Sequence, residues 1–135
     1  VRTVYLPPGG CGFYQAVVQV ENTRTGLGRE VIQATFGAFR SLQRVVVIDT
    51  DVDIFDAVDV EWAITTRFDP DSDLVILPHH DGHILNPVVH VNADGKGGTV
   101  TNVGMNAMAP FQGGEKFESV KFQEVDLADY EIKNA

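Results

Sequence analysis

The chain has 135 residues, of which 44% are hydrophobic and 21% charged, and this is the composition of an ordinary globular domain rather than of a disordered segment. Its formal net charge of -9 repels the phosphates of nucleic acids and anionic lipid headgroups, so neither is an expected partner. The apolar runs are much shorter than the roughly 20 residues that a membrane-spanning helix needs. Composition therefore excludes nucleic-acid binding and membrane insertion as leading functions.

Cysteine content and the first residues bear on the compartment. Cys11 is the one cysteine in the sequence, so no internal disulfide can form. Residues 1–6 alternate between polar and apolar side chains and lack the apolar core of a signal peptide. Both observations predict a cytoplasmic protein.

The first third of the chain predicts two strands followed by a helix. Residues 2–6 and the apolar run 16–20 read as strands, and the Pro- and Gly-rich segment 7–12 joins them. From residue 27 to residue 39 the apolar period becomes helical, with Ile32 and Phe36 on one face.

The middle of the chain predicts a strand, a helix and a further strand. Residues 45–48 and 74–77 are apolar runs typical of strands buried on both faces of a parallel sheet. Asp56 stands at the N-cap position of the helix between them, and Pro70 ends it. One side of this helix carries Val60, Ala63, Ile64 and Arg67.

This order of elements predicts an α/β fold. We expect residues 1–135 to form one domain, with a mixed, mainly parallel sheet around a βαβαβ core flanked by helices and joined by right-handed crossovers. Residues 78–112 predict a long loop region that is rich in Gly, Asn, Asp and His, with short β-like pieces. Because loops longer than about 15 residues are usually functional or mobile, a site is expected there first. Residues 113–135 predict a C-terminal tail with a strand-like piece from residue 117 and a short helix at 126–133.

An acidic run follows the strand at 45–48. Asp49, Asp51 and Asp53 alternate like the start of an EF-hand calcium loop, but Ile54 and Val60 replace the glycine and glutamate that such a loop needs. We interpret these acids as following a buried strand and preceding a helix N-terminus, where negative charge is favoured. A bound ion and a subunit interface remain the alternatives.

Four histidines, His79, His80, His83 and His90, fall within the long loop region. Histidine and aspartate are good ligands for zinc, and a catalytic zinc site needs about three of them. His79 and His83 would share a face only on a helix, whereas Asp81 and the glycine after it favour a turn. The histidines therefore predict either a metal site or, as we favour, a loop with exposed or pocket-lining side chains.

Two glycine-rich segments have simple structural interpretations. Gly26 and Gly28 open the helix at 27–39, but Val31 replaces the third glycine of a dinucleotide-binding fingerprint. We interpret the pair as a tight strand-to-helix turn. Cys11 lies in the other segment, and no neighbouring residue in the sequence identifies a base that would activate its thiol.

The central block of the chain resembles a known family. Residues 44–56 and 60–70 read RVVVIDTDVDIFD and VEWAITTRFDP, which is similar to the late segment of UbiD-type decarboxylases. The opening segment 4–7 and the segment 104–110, which reads GMNAMAP, are also similar to that family. The resemblance covers about residues 1–112. It identifies the chain as resembling the C-terminal domain, or a small subunit, of a UbiD-type enzyme.

The resemblance implies a reaction and also implies which domain carries the catalytic residues. UbiD-type enzymes reversibly decarboxylate aromatic or α,β-unsaturated carboxylic acids with prenylated FMN, a divalent metal and a monovalent cation. Their Glu-Arg-Glu catalytic residues and their flavin and metal ligands lie in a preceding domain. We therefore expect no catalytic, cofactor-binding or metal-binding residue in this chain, and no activity from the chain alone. The implied partner is a flavin-binding domain or subunit, in a homo- or hetero-oligomer.

In that family the C-terminal domain supplies subunit contacts and one wall of the substrate pocket. By the resemblance, the wall candidates are His83 and Leu85, with His80 and Ile84 as weaker neighbours. An ordinary surface loop is the alternative reading of these residues. Asn106 and Met108 depart from the acid and threonine usual in the family segment that they resemble.

The four histidines, taken without the resemblance, also allow a second function. The chain could be a free-standing small-ligand or metal-binding α/β module that uses the loop between His79 and His90. The sequence leaves open the substrate, the direction of the reaction and the oligomeric state. It also leaves open whether the flavin-binding domain is on the same polypeptide.

Overall fold

The structure of the protein is a computed structural model, and it describes residues 1–120. The strands are β1 (Thr3–Tyr5), β2 (Gln15–Val20), β3 (Arg44–Asp49), β4 (Leu74–Asp81), β5 (His90–Val91) and β6 (Gly98–Ala107). The helices are α1 (Leu27–Ala38), α2 (Ala57–Arg67) and the short α3 (Pro70–Asp73). Short 3-10 turns span Pro8–Gly10 and Gly114–Phe117. The predicted helix at 126–133 lies outside the described residues.

The strands form one mixed sheet in the order β1-β2-β3-β6-β4, with β5 paired to β6. The three central strands are parallel, since β2 pairs with β3 and β3 pairs with β6 in that direction. The outer strands β1, β4 and β5 are antiparallel to their neighbours. The α/β class with a mixed sheet and a parallel centre is therefore confirmed, as is the order of strands and helices from β2 to β4.

The expected direction of β4 is wrong. It does not follow β3 as a third parallel strand, but pairs antiparallel with β6 at the edge of the sheet, where Ile76 is 57% exposed. The position next to β3 belongs to β6, which lies within the predicted loop at 78–112. A short apolar run cannot distinguish an edge strand from a central one.

The predicted loop at 78–112 is also wrong for much of its length. It contains the end of β4, all of β5 and the ten residues of β6. Asn102, Gly104 and Asn106 occupy alternate positions of β6, and these residue types are depleted in strands. These residues make β6 hard to recognise from the sequence. The strand forms because it pairs with β3 on one side and β4 on the other, and not because of its own β-propensity.

The core has two layers because alternate side chains of each central strand point to opposite faces of the sheet. One cluster packs under α1, and the other packs under α2. The first includes Val18, Ile32, Phe36, Val45 and Val47. The second includes Val17, Val46, Ile48, Val60 and Ala63.

Local features of both helices agree with the sequence analysis. Asp56 is the N-cap of α2, and its Oδ1 accepts a hydrogen bond of 2.8 Å from the Val58 amide. Gly26 is the N-cap of α1 with φ of 82°, and Gly28 packs so closely on Asn106 that a Cβ atom would collide with it. The Gly26 and Gly28 pair thus forms a tight turn with close packing. Within residues 1–120, no helix is both long and apolar enough to cross a membrane.

Candidate functional site

The wall candidates lie near the amino ends of the parallel strands. His83, Ile84 and Leu85 belong to the segment that follows β4, which we name the His83 loop (residues 82–88). His80 is separate from them, since it lies within β4 and pairs with Val100 of β6. The structure therefore groups three of the four candidates in one loop and places the fourth on the strand that leads into it.

The first anchor of the His83 loop is a cluster of three rings. The His83 ring lies 5.2 Å from the Phe13 ring and 6.1 Å from the Tyr14 ring, both in edge-on arrangements. The Phe13 and Tyr14 rings are themselves 4.3 Å apart. His83 Nδ1 also accepts a hydrogen bond of 3.3 Å from the Leu85 amide, which turns the backbone sharply. The ring cluster thus fixes one end of the loop against the segment before β2.

The second anchor is Asn86. Its Nδ2 donates a hydrogen bond of 2.7 Å to Gln43 Oε1, just before β3. The Asn86 amide donates to the carbonyl of His83 at 2.8 Å, and the Asn86 carbonyl accepts from the Val89 amide at 3.0 Å. Val89 is 7% exposed and tethers the end of the loop to the protein. The loop is therefore held on both sides of residues 84 and 85.

The two residues between the anchors are apolar and exposed. Ile84 is 51% exposed and Leu85 is 72% exposed. Large aliphatic side chains that are presented on a fixed loop suit contact with an apolar ligand surface or with another protein surface. Ile84 and Leu85 carry no acid or base, so these two side chains can shape a pocket but cannot transfer a proton.

The turn between β1 and β2 supports both anchors. Gly10 is buried in it, and a Cβ atom at this position would collide with the side chain of Gln15. Cys11 and Gly12 follow with φ of 56° and 73°, both in the left-handed region. The Tyr14 carbonyl then accepts hydrogen bonds from the Gln43 amide at 2.8 Å and the Arg44 amide at 3.1 Å. The Gly-rich turn therefore has a structural role, and Cys11 is an exposed residue within it.

The histidines do not come together as ligands. His79 lies at an irregularity in the pairing of β4 with β6 and has φ of 59°. His90 is in β5, whereas His83 packs edge-on against the rings of another segment. Among residues 1–120, no group of three or more His, Cys, Asp or Glu side chains is arranged to hold a metal ion. The reading of the chain as a free-standing metal-binding module is not favoured.

The carboxyl ends of the parallel strands carry a different feature, which we name the Arg67 clasp (Asp49, Asp51, Arg67, Ala109 and Phe117). The Arg67 side chain is 1% exposed. It donates to Asp49 Oδ2 at 2.9 Å and, through both terminal nitrogens, to Asp51 at 3.0 and 2.7 Å. It also donates to the Phe117 carbonyl at 3.2 and 2.9 Å. Asp49 Oδ2 in turn accepts from the Ala109 amide at 2.6 Å. The clasp joins β3, α2 and the segment after β6.

Two groups in the clasp have shifted pKa values, for different reasons. Loss of solvent raises the pKa of the Asp49 carboxyl above its ordinary value, although the Ala109 amide and Arg67 oppose this change. The hydrogen bonds that Arg67 donates to Asp51 raise the pKa of Arg67, so its guanidinium stays charged. The interpretation that Asp49 and Asp51 serve the N-terminus of α2 is wrong for these two acids, because both bind Arg67 in the last turn of that helix.

The sequence carried a signal for the clasp but not for the anchors. An arginine on the same helical side as Val60 and Ala63 indicates a buried charge, and a buried charge needs a partner. Nothing local in the sequence marks Phe13, Gln43 and Asn86, because each acts through a residue that is distant in the chain.

Several known proteins resemble this chain over most of its length. The family model described as the 3-octaprenyl-4-hydroxybenzoate carboxy-lyase C-terminal domain matches residues 1–107. The anhydromevalonate phosphate decarboxylase of Aeropyrum pernix is 43% identical over 118 residues, which are 87% of this chain and 26% of that protein. The gallate decarboxylase of Lactiplantibacillus plantarum is 34% identical over 138 residues, which are 97% of this chain and 28% of that protein.

A solved structure shows the same architecture. The UbiD-class enzyme HmfF from Pelotomaculum thermopropionicum, in complex with FMN, has a TM-score of 0.82 and 33% identity, and the match covers 94% of this chain and 28% of that one. An evolved dimeric form of the same enzyme, in complex with prFMN, matches with a TM-score of 0.69 and 29% identity over 94% of this chain and 25% of that one. The chain thus spans little more than a quarter of the length of the relatives that it matches. The match to the family model and the shared fold show that this chain belongs to the UbiD family of decarboxylases, as their C-terminal domain.

Proposed function

We propose that this domain completes a decarboxylase of aromatic or α,β-unsaturated carboxylic acids, in which it supplies one wall of the substrate pocket and a surface for subunit contacts. The observation that carries the proposal is the pair of exposed aliphatic side chains, Ile84 and Leu85, held between two anchors. His83 and His80 flank this pair as further wall residues. The chain then works with a flavin-binding domain or partner subunit, in a homo- or hetero-oligomer.

The wall role follows from the chemistry of the exposed residues. The ring or unsaturated carbon chain of the substrate is apolar, and its binding is favoured by apolar side chains that need no rearrangement on contact. Ile84 and Leu85 lie beside backbone that is fixed by Asn86 and His83, so little conformational entropy is lost when a ligand packs on them. The wall selects and orients the substrate, and the proton transfers belong to residues of the flavin-binding domain.

Prenylated FMN and its divalent metal are assigned to the flavin-binding domain. Prenylated FMN, when bound, supplies the electron sink that a decarboxylation needs. Among residues 1–120, no three potential ligands converge for a metal ion, so the described part of this chain does not fit the divalent metal. The absence of any internal disulfide, since Cys11 is the one cysteine, supports a cytoplasmic enzyme.

A subunit contact is proposed on the far side of the domain from α2. Val4 and Leu6 of the β1 region and Phe39 after α1 are 54%, 37% and 40% exposed and line one apolar groove. Exposed apolar surface of this kind is typical of faces that are covered in an assembly. Native mass measurement of the complete enzyme, with and without Phe39→Asp, tests this part of the proposal.

The main experiment uses the complete enzyme, with the flavin-binding domain present and loaded with prenylated FMN. Release of carbon dioxide is measured with gallate, 3,4-dihydroxybenzoate and anhydromevalonate phosphate, since relatives carry names of decarboxylases of these acids. We expect turnover of at least one acid. We expect Leu85→Ala to raise KM for that acid by roughly tenfold, because a lost aliphatic contact is worth about 1–3 kcal/mol.

Val58→Ala is the matched control, because Val58 is an aliphatic residue that is 77% exposed in α2, away from the His83 loop. It should leave KM unchanged. Equal effects of Leu85→Ala and Val58→Ala would contradict the wall role. Turnover by the chain alone, with prenylated FMN supplied, would contradict the assignment of the chemistry to the flavin-binding domain.

A further inference from the structure

We infer that Phe13 is a positioning residue for substrate selection, acting through the His83 ring on the wall loop from the turn between β1 and β2. This inference rests on the proposed function and deepens it, because it extends the wall from one segment of the chain to two. It concerns a residue outside the central block at 44–70 and outside the four wall candidates.

Phe13 does not pack in the hydrophobic core on either face of the sheet. It belongs to neither of the two clusters of buried apolar residues, although it is a large aromatic residue that is only partly buried. Its ring contacts are with Tyr14 at 4.3 Å and His83 at 5.2 Å. An aromatic ring in such a place stabilises what it touches, and here that is the first anchor of the His83 loop.

The backbone leaves Phe13 little freedom to move away. The Phe13 amide donates to the Gly10 carbonyl at 3.3 Å, and the Tyr14 amide donates to the same carbonyl at 2.9 Å. Gly10 is packed against Gln15, and the left-handed Cys11 and Gly12 complete the turn. The backbone position of Phe13 is therefore set before any ligand arrives.

Contacts link the Phe13 ring to His83 and, through His83, to the wall residue Leu85. The Phe13 and His83 planes are inclined by 66°, so the edge of one ring meets the face of the other. The His83 Nδ1 atom in turn holds the Leu85 amide, and Leu85 is the most exposed apolar residue of the loop. Loss of the Phe13 ring would loosen His83 first and then the position of Leu85.

Tyr14 is a less suitable candidate for the same role. Its backbone carbonyl already links the start of β2 to the start of β3, through the amides of Gln43 and Arg44. The Tyr14 ring also lies farther from the His83 ring than the Phe13 ring does, at 6.1 Å against 5.2 Å. Phe13 offers the cleaner test.

The test uses the complete enzyme with prenylated FMN bound and has two independent readouts. Hydrogen exchange with mass spectrometry follows the amides of residues 82–89 without substrate. Steady-state kinetics compares two accepted acids that differ in the size of the substituted ring. The variants are Phe13→Ala, Phe13→Leu, which keeps apolar volume but removes the ring, and Phe13→Tyr, which keeps the ring.

In Phe13→Ala we expect exchange at residues 82–89 to be roughly two- to tenfold faster, the range that one aromatic pair supplies. We expect KM to rise and the ratio of kcat/KM between the two acids to fall by at least about threefold, a fraction of what a good pocket contact discriminates. The value of kcat for the preferred acid should change less than KM. Phe13→Leu should give an intermediate result, and Phe13→Tyr should restore both readouts.

Phe111→Ala is the matched control, since Phe111 is a 48% exposed aromatic residue beside the Arg67 clasp, at the other end of the parallel strands. Unchanged exchange at residues 82–89 in both Phe13→Ala and Phe13→Leu would overturn the inference. Faster exchange with unchanged KM and unchanged selectivity would also overturn it, because the role would then be structural only. Failure of the proposed function gives a distinguishable result. The wild-type enzyme would then turn over none of the acids, whereas exchange at residues 82–89 would still be faster in Phe13→Ala.

Discussion

The two ends of the parallel strands carry opposite kinds of structure. At the carboxyl ends, the Arg67 clasp buries a charge, satisfies it with two carboxylates and ties three segments together. At the amino ends, the His83 loop exposes aliphatic side chains and is held by ring contacts and by the hydrogen bond between Asn86 and Gln43. The comparison teaches that one end supports the fold, whereas the other is free to meet a ligand or partner.

Arg67→Met should have the largest effect on stability. It leaves Asp49 largely buried without its counter-charge and removes two donors from the Phe117 carbonyl, so we expect the free energy of unfolding to fall by about 3–5 kcal/mol. Urea unfolding followed by circular dichroism measures this. Arg40→Met is the control, because its 3.6 Å pair with Asp81 is exposed and should contribute about 0–1 kcal/mol. A loss below 1 kcal/mol for Arg67→Met would end the idea that this end supports the fold.

Asp56→Ala should have a smaller effect at the same end. It removes the N-cap bond to the Val58 amide, which typically costs about 1 kcal/mol. The same unfolding measurement applies. Glu61→Ala, an exposed substitution within α2, should change the free energy of unfolding by no more than a few tenths of a kcal/mol. Equal losses in the two variants would show that the cap contributes nothing of its own.

The pH dependence of the free energy of unfolding should show the raised pKa of Asp49. Burial raises the pKa of its carboxyl in the folded chain, so over the interval above the ordinary aspartate pKa the folded state binds more protons than the unfolded state. Its contribution to stability is therefore present at low pH and is lost as pH rises through the raised pKa. We expect Asp49→Asn to remove this decline from the stability profile.

Glu30→Gln provides a comparison of opposite sign for that experiment. The hydrogen bond from Arg24 lowers the pKa of the exposed Glu30, so its contribution is present above the ordinary glutamate pKa and is lost as pH falls. Solvent screening keeps this contribution small. If Asp49→Asn altered the profile in the same direction as Glu30→Gln, the assigned cause of the Asp49 shift would be wrong.

Leu85→Ala should have the smallest effect on stability, although it weakens substrate binding in the proposal. Its side chain is 72% exposed, so truncation should change the free energy of unfolding by less than about 0.5 kcal/mol. Thermal unfolding checks this. A loss of 2 kcal/mol or more, which is roughly the cost of truncating a buried leucine, would mean that Leu85 is covered within this chain and is not a wall residue.

Much of the local structure could be predicted because it depends on neighbours in the sequence. The apolar periods located β2, α1, β3, α2 and β4, and the N-cap at Asp56 was found from its position alone. The block around residues 44–70 was long enough to identify the family. The assignment of a wall to residues 80–85 remains a prediction that the structure makes more specific.

The tertiary structure alone decided the strand order and the contacts of the site. The sequence by itself determined which segments are strands or helices, since side-chain period and capping act over a few residues. Pairing is different, because β6 owes its central place to β3 and β4 and not to its own propensities. Asn86 lies 43 residues from Gln43, and Ala109 lies 60 from Asp49. Such partners meet only when the sheet is assembled, so both the Arg67 clasp and the anchors of the His83 loop had to be seen in the fold.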